Sequence, residues 1–547
     1  MILDYIPKTD AFVLKVPRET ADLQELMNSH GLDFSTSAST EREAVLFTRE
    51  PYAAVTFFRY GTALAQDRLR ALDQLIQSSN KLESSAHIAC PPDKELWGYQ
   101  KAGIEYALQR TNTLVGDQPG LGKTPIAICY ANEIQARRVL VLCPANIRLQ
   151  WVRRIWEWTT LRWPVHIEAI THGRKGINPD AHWTVVSYDL ARTEGINRAL
   201  ANGSYDLLIL DEAHYLKTVD SRRTRAVFGG GNTPIAALGE RCRNILALTG
   251  TPLPNRPREA YTLARGLCWD CIDWASEDHF RERFNPSRRV EGERVNRETG
   301  ETEHFIYNDE RTGRHFELQN RLRAGFMTRH LKREVLPQLK LPRFDLIQLE
   351  ANTPAIRAAL EAESLLDIDP ENMEGADAAV MGHVAAVRHA LGVATAPQMA
   401  DYVDMLMEGG EEKLVFFAWH IAVMDYLEGR WRKWGVERID ATMSPTRKQA
   451  RVDEFIANPR KQIILGNTLS MGTGTDGLQT VAQHAILGEP DWTPGNNQQA
   501  FDRLDRIGQL GQMQGDMMVT VGSIAERVLA GALRKLRTTN KALDARV

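Results

Sequence analysis

The residues of this chain that could do chemistry are grouped in blocks. The first is the run Gly116, Asp117, Gln118, Pro119, Gly120, Leu121, Gly122, Lys123 and Thr124, with the apolar stretch 113–115 before it and the helix-compatible stretch 125–131 behind it. Glycines let backbone N–H groups wrap a phosphate, and a following helix N-terminus adds favourable partial charge. Lys123 would reach the β- and γ-phosphates of a nucleotide, and the Thr124 hydroxyl would hold Mg²⁺. Asp117 stands where the general phosphate-loop pattern has glycine. Further on, Asp211, Glu212, Ala213 and His214 follow the apolar run 207–210. An acidic pair at the C-terminal end of a strand lies where ligands collect in doubly wound sheets. Asp211 is placed there to hold Mg²⁺, and Glu212 to orient and deprotonate an attacking water. For a lone motif of this kind, the alternative is a solvated acidic turn.

Three more blocks accompany these. Gln100 precedes the loop and can offer its amide to an adenine edge. Thr249, Gly250 and Thr251 follow the apolar run 245–248, and their small hydroxyl residues can link a nucleotide site to a groove. Near the C-terminus, Arg503 and Arg506 are three residues apart, so on a helix both would point from one face at a phosphate chain. Supplied across a cleft, such arginines stabilise transition-state charge. A surface salt-bridge helix is the plainer reading of the same spacing.

These blocks need rigid elements to carry them. At 547 residues the chain is too long for one core, so two large domains with additions are expected. The hydrophobic share of 43%, the charged share of 25% and the net charge of −3 describe an ordinary globular composition without a global polyanion-binding signal. No apolar run reaches the ~18 residues of a membrane span, and no signal peptide is visible, so a soluble cytoplasmic protein is expected. Six cysteines do not form a disulfide framework, and Cys268 with Cys271 reads as a pair of reduced thiols rather than half of a zinc site.

The fold class expected is α/β, with two doubly wound parallel-sheet lobes. Residues 1–90 read as a small accessory α/β unit, with strands at 11–16, 44–47 and 53–58 and helices near 19–29 and 62–78. Residues 91–345 alternate strands and helices around the runs 139–143, 183–187, 207–210 and 245–248, which suit a sheet covered on both faces. The segment 286–314 reads as a protruding hairpin or mobile insertion. Residues 346–410 read as a helical linker, and 411–547 as the second lobe with strands near 413–417, 462–465 and 485–487.

The order of blocks resembles the Swi/Snf family of superfamily-two DNA translocases. The resemblance rests on Gln100, the run Asp117 to Thr124, Pro144 with Trp151, Ser187 with Tyr188, Asp211 to His214, Leu248 to Asn255, Arg329 to Pro337, Asp440 with Arg447, and Gln498 to Gln509. Asp117 is typical of that family, and the stretch Asp491 to Gly495 resembles its annealing-helicase branch. The resemblance covers roughly residues 91–540. It implies two RecA-like lobes, ATP and Mg²⁺ as ligands, and Gln499 beside Gln100 in the nucleotide-binding set. It implies Arg503 and Arg506 at the γ-phosphate, and a coupling role for His214, Thr249, Gly250, Thr251, Gly474, Asp476 and Gly477. The stretch Asn467 to Gln479 departs from the family's shorter Ser/Thr-Ala-Gly-Gly run.

DNA, as duplex or fork, is the expected partner, held mostly by its phosphates. Candidate contacts are Lys217, Arg222 and Arg223, and the run Arg321, Arg323, Arg329, Lys332 and Arg333, with solvated helix faces as the alternative. Trp151, Trp156, Trp158 and Trp163 at helical spacing read as core. The expected activity is DNA-stimulated ATP hydrolysis coupled to translocation, by a monomer from a bacterial or viral source. A strand-separating DNA or RNA helicase, with 286–314 as its wedge, is one alternative. A remodeller that displaces a DNA-bound protein such as a polymerase, with 1–90 as its docking module, is another.

Overall fold

Alternation of fully apolar strands with amphipathic helices produces two parallel sheets in one chain. The computed structural model describes all residues except 21, 162–164, 172–176, 232–234, 254–255, 273–275, 296–301, 311–312, 341, 365–377, 468–470, 472–476, 492–493, 524, 527–542 and 545–547.

The accessory unit contains β1 (Ile2–Ile6), β2 (Ala11–Pro17), β3 (Asp33–Phe34) and β4 (Glu43–Thr48), an antiparallel sheet in the order β1-β2-β4-β3. Helices Leu23–His30 and Ala63–Ser79 stand where the sequence pattern puts them. The strand expected at 53–58 is instead helical, as Pro51–Ala54 followed by Val55–Tyr60. Pro51 opens that helix and Glu50 caps it by accepting from the Tyr52 N–H, a local start signal that overrides the aromatic and β-branched composition. β1 and β3, absent from the sequence reading, complete the sheet.

The first lobe has β5 (Asn112–Val115), β6 (Val139–Cys143), β7 (Ile167–Ile170), β8 (Trp183–Ser187), β9 (Tyr205–Asp211) and β10 (Cys242–Leu248). A two-stranded antiparallel hairpin, β11 (Ser287–Val295) with β12 (Thr302–Glu310), follows, and β13 (Met327–Thr328) closes the edge. The parallel order is β13-β5-β10-β9-β6-β8-β7. Successive residues of each strand enter opposite cores: Leu140, Leu142, Leu208 and Leu210 face one, Val139, Val141, Leu207 and Ile209 the other. Burial on both sides is why these strands read as continuous apolar runs.

The second lobe contains β14 (Arg343–Leu349), β15 (Leu414–Ala418), β16 (Val436–Ile439), β17 (Ile463–Asn467), β18 (His484–Leu487) and β19 (Gln514–Thr520), in the parallel order β14-β19-β18-β15-β17-β16. β14 runs across position 345, where the sequence reading ends the first lobe, and pairs with β19 along its whole length. Its half-exposed alternating pattern carries little apolar signal, and so it reads as linker. Helix Ala378–Glu408 packs Ala396, Met399, Ala400 and Val403 on the same core as Leu414 and Phe416, so this expected linker helix is bound to the second sheet. Among the described residues no helix is long and apolar enough to cross a membrane, and the cysteines are free thiols.

Candidate active site

The phosphate loop leaves the C-terminal end of β5, which lies between the edge strand β13 and β10 in the seven-stranded sheet, and enters helix Lys123–Glu133. Gly120 and Gly122 take φ of 86° and 74°, left-handed conformations that side chains disfavour. Lys123 Nζ donates to the carbonyls of Asp117 at 2.8 Å and Gln118 at 3.3 Å, so its ammonium lies along the loop. Asp117 turns inward. It is fully buried and accepts from the His330 N–H at 2.9 Å and pairs with His330 Nδ1 at 2.8 Å. Its side chain therefore ties the loop to the strand-edge segment after β13, and only its backbone serves the loop as expected of a nucleotide-binding residue. Gln100 is likewise engaged within the protein: Nε2 donates to the Leu121 carbonyl at 3.1 Å and Oε1 accepts from the Trp97 N–H at 2.9 Å. The amide expected to face adenine props the loop from below.

Asp211 ends β9, one strand over from the loop's neighbour β10. Glu212 has φ 51° and ψ 51°, a left-handed conformation costing ~1–2 kcal/mol for a non-glycine residue, and lines the same cavity as Lys123. His214 Nδ1 lies 3.2 Å from Glu212 Oε2 and 3.0 Å from Thr249 Oγ1. One imidazole thus links the acidic pair to the loop after β10. That loop touches the phosphate loop as well, because a Cβ on Gly250 would run into Pro119. His214, Thr249 and Gly250, the residues expected to couple, are thus joined to the acidic pair and the phosphate loop by direct contacts. Thr251 stands beside them, its N–H donating to Thr249 Oγ1 at 3.2 Å.

Burial raises the Asp211 carboxyl above the usual range, and the neighbouring Glu212 adds to the rise. Burial works on Glu212 in the same direction, but His214, Lys123 and Arg503 outweigh it and hold that carboxyl low. Burial lowers the Lys123 ammonium, against the pull of Glu212, Asp117 and Asp211. Asp211, Glu212 and Thr124 line one cavity and offer it hard oxygen donors, a set that suits Mg²⁺ with phosphate and water completing its shell. Among the described residues no group of three or more His, Cys, Asp or Glu is placed to hold a metal ion. Asp211 gains a partner that the sequence reading missed. Trp151, read as core, is buried and donates its indole N–H to Asp211 Oδ2 at 2.7 Å. No spacing rule predicts that bond, because 60 residues separate donor and acceptor.

The second lobe completes the cavity. Arg503, Arg506 and Gly477 line one space of about 570 Å³ together with Pro119, Gly120, Gly122, Lys123, Thr124, Asp211 and Glu212. The helix ahead of the arginines, Pro494–Phe501, ends before them, so they sit on successive turns of chain rather than on the helix face expected. They still face the phosphate loop: an added Cβ on Gly120 would lie 2.6 Å from Arg506 Cβ and 3.1 Å from the Asp505 carbonyl. Gln499 is half-buried on the helix and is not among the residues lining this cavity. Gly474 and Asp476 lie outside the described residues.

Two family models match the chain, an SNF2-related domain over residues 99–352 and a helicase conserved C-terminal domain over 398–508. The chain therefore carries an SNF2-related domain. The chain is 28% identical over 490 residues to the DNA annealing helicase and endonuclease ZRANB3 of Bos taurus, covering 86% of this chain and 43% of that protein. It is 27% identical over 433 residues to the bovine SWI/SNF-related matrix-associated actin-dependent regulator of chromatin subfamily A-like protein 1, covering 78% of this chain and 42% of that protein. The match thus spans less than half the length of each of these two relatives. A solved Sulfolobus solfataricus SWI2/SNF2 ATPase core in complex with dsDNA overlaps 85% of this chain at 16% identity, with a TM-score of 0.38.

Most of the basic residues expected to hold DNA are engaged with partners inside the protein. Arg329 is buried, paired with Asp544 at 2.6 and 2.9 Å, and donates to the Gly116 carbonyl at 2.6 Å. Arg321 is buried between Glu317 at 2.9 Å and Glu50 at 2.6 Å, tying the accessory unit to the first lobe. Arg323 donates to Asn80 Oδ1 at 2.6 Å in the same seam. Lys217 pairs with Glu259 at 3.0 Å and Arg223 with Asp189 at 3.0 Å. Arg222 and Arg333 are exposed. A run of basic residues in sequence does not show which carboxylates the fold will bring to it. Trp156 is exposed, Trp158 packs partly buried on the core, and Trp163 lies outside the described residues.

Proposed function

We propose that this chain is a DNA-dependent ATPase that couples hydrolysis of ATP to movement on duplex or branched DNA. One observation carries the reading: arginines of the second lobe line the same cavity as the phosphate loop and the acidic pair of the first. A nucleotide bound there touches both lobes, so hydrolysis and release change the lobe-to-lobe contact, and a strand lying across both lobes is moved. Lys123 and the loop N–H groups bind the phosphates. Glu212, kept ionised by its cationic surroundings, accepts the proton of the attacking water, and His214 passes the state of that carboxylate to Thr249. Arg503 and Arg506 stabilise the charge developing on the γ-phosphate. Mg²⁺, held by Asp211 and the Thr124 hydroxyl, would neutralise phosphate charge when bound. The annealing-helicase name carried by several relatives supports branched DNA as substrate.

The test is steady-state ATP hydrolysis with no nucleic acid, single-stranded DNA, duplex, forked DNA and RNA, with Glu212→Gln as blank. Stimulation by duplex or fork, absent in the variant, is the expected result. Stimulation by single strands or RNA alone would favour a strand-separating helicase, for which the paired hairpin β11–β12 is the candidate wedge. Stimulation by none would favour a remodeller dependent on a protein partner docked through residues 1–90.

A further inference from the structure

Behind the arginine pair the two lobes share a buried ion cluster that the hydrolysis chemistry does not use. Lys332, from the first-lobe side, extends its Nζ to Asp502 Oδ1 at 2.7 Å and Asp505 Oδ2 at 2.6 Å, and also donates to the Asp505 carbonyl. Lys332, Asp502 and Asp505 are 9%, 2% and 6% exposed. Both ends are anchored to the catalytic loops. The Lys332 N–H donates to Gln118 Oε1 at 2.7 Å, and the Gln118 carbonyl accepts from Lys123 Nζ. On the far side the Asp502 carbonyl accepts from Arg506 Nε at 3.0 Å, and Arg503 lies between the two aspartates in sequence. Tyr99, Leu121 and Leu336, with Ile507 packed against them, form a small apolar cluster that spans the same seam.

Buried ion pairs contribute little net stability against their desolvation cost, but a misaligned one is costly, so they define register better than they bind. One ammonium between two carboxylates can be satisfied in a single lobe arrangement. We propose that Lys332 is a positioning residue that registers the second lobe on the first, so that Arg503 and Arg506 meet the phosphates held by Lys123. The target of the arginines rests on the ATPase reading above; the lobe register does not.

The experiment measures lobe separation and catalysis independently. Fluorescence transfer between labels at the exposed Glu240 and Arg460 reports separation without nucleotide or DNA. Lys332→Met is expected to lower transfer, and to cut kcat about 100-fold with KM for ATP within about twofold, because the arginines are displaced while the loop still binds. Combining Lys332→Met with Asp502→Asn and Asp505→Asn removes every charge of the cluster and is expected to return transfer toward the parent value, which loss of lysine packing alone would not do. If Lys332→Met does not fold, Asp502→Asn with Asp505→Asn strands the lysine instead and is expected to lower transfer in the same way. Unchanged transfer and kcat in Lys332→Met, or a triple variant as open as the single one, overturns the proposal. A parent protein that DNA does not stimulate would overturn the DNA-ATPase reading, while the transfer measurements would still decide the register.

Discussion

Gly120→Ala separates what the phosphate loop does alone from what it does against the second lobe. At φ 86° an added Cβ strains the loop whatever surrounds it, at ~1–2 kcal/mol. That strain is present whether the lobes touch or not, so it lowers stability and leaves the lobe equilibrium alone. The second effect is steric: the new Cβ would sit 2.6 Å from Arg506 Cβ and 3.0 Å from Arg506 Cα. Backbone cannot swing aside as a side chain can, so the contact must open, at the ~1–3 kcal/mol typical of overpacking. If the reaction requires the arginines against the loop, kcat falls by roughly 5- to 150-fold. Binding of a fluorescent ATP analogue to the first lobe should change far less. Gly230→Ala is the matched control, since Gly230 has φ 105° with nothing within 4 Å of the added Cβ. It should lose stability and keep kcat. Pre-steady-state hydrolysis with saturating DNA gives the numbers. A Gly120→Ala enzyme with the kcat of Gly230→Ala would refute the claim that catalysis occurs with the two loops in contact.

Three further outcomes are expected. Trp151→Phe removes the hydrogen bond on Asp211 and, with ~1.5–3 kcal/mol at stake for a bond to a charged group, should raise the Mg²⁺ concentration needed for nucleotide binding about tenfold or more; a Mg²⁺ titration of analogue fluorescence measures it. Arg329→Ala leaves Asp544 without its bidentate partner and should destabilise the fold by ~3–5 kcal/mol, while the salt dependence of DNA binding by the protein still folded stays that of the parent; a shallower salt slope would return Arg329 to the DNA surface. His484, raised to about 9 chiefly by its hydrogen bonds to Asp516 and Glu411 against the effect of burial, contributes stability that is full below its unfolded pKa near 6.5 and is lost as pH rises through 9. Urea melts from pH 6 to 10 should show up to ~3 kcal/mol more loss in the parent than in His484→Gln.

How far the site is legible in the sequence depends on how local each determinant is. The phosphate loop needs a strand, glycines at two left-handed positions and a helix, all within a short span, and residues 113–131 contain them. The runs that became β6, β8, β9 and β10 are apolar on both faces, so they announce a covered parallel sheet. β14 and β19 escaped because their alternating or mixed burial leaves no continuous apolar run. The strand expected at 53–58 failed for the opposite reason: composition favoured it, but Glu50 and Pro51 start a helix first.

The sequence by itself determined the two α/β lobes and the identity of the groups proposed to handle phosphate, metal and water, because glycine conformations, apolar periodicity and the offset of acids from a strand end are short-range properties. Only the tertiary structure decided which charges are available to a ligand. Asp117 and Gln100 hold the loop, Arg321, Arg323 and Arg329 serve the seams with the accessory unit and the C-terminal residues, and Lys332 bridges the lobes. Their partners lie far away in the chain, and a charged side chain takes its role from whatever opposite charge the fold brings within about 3 Å of it, where burial makes pairing obligatory.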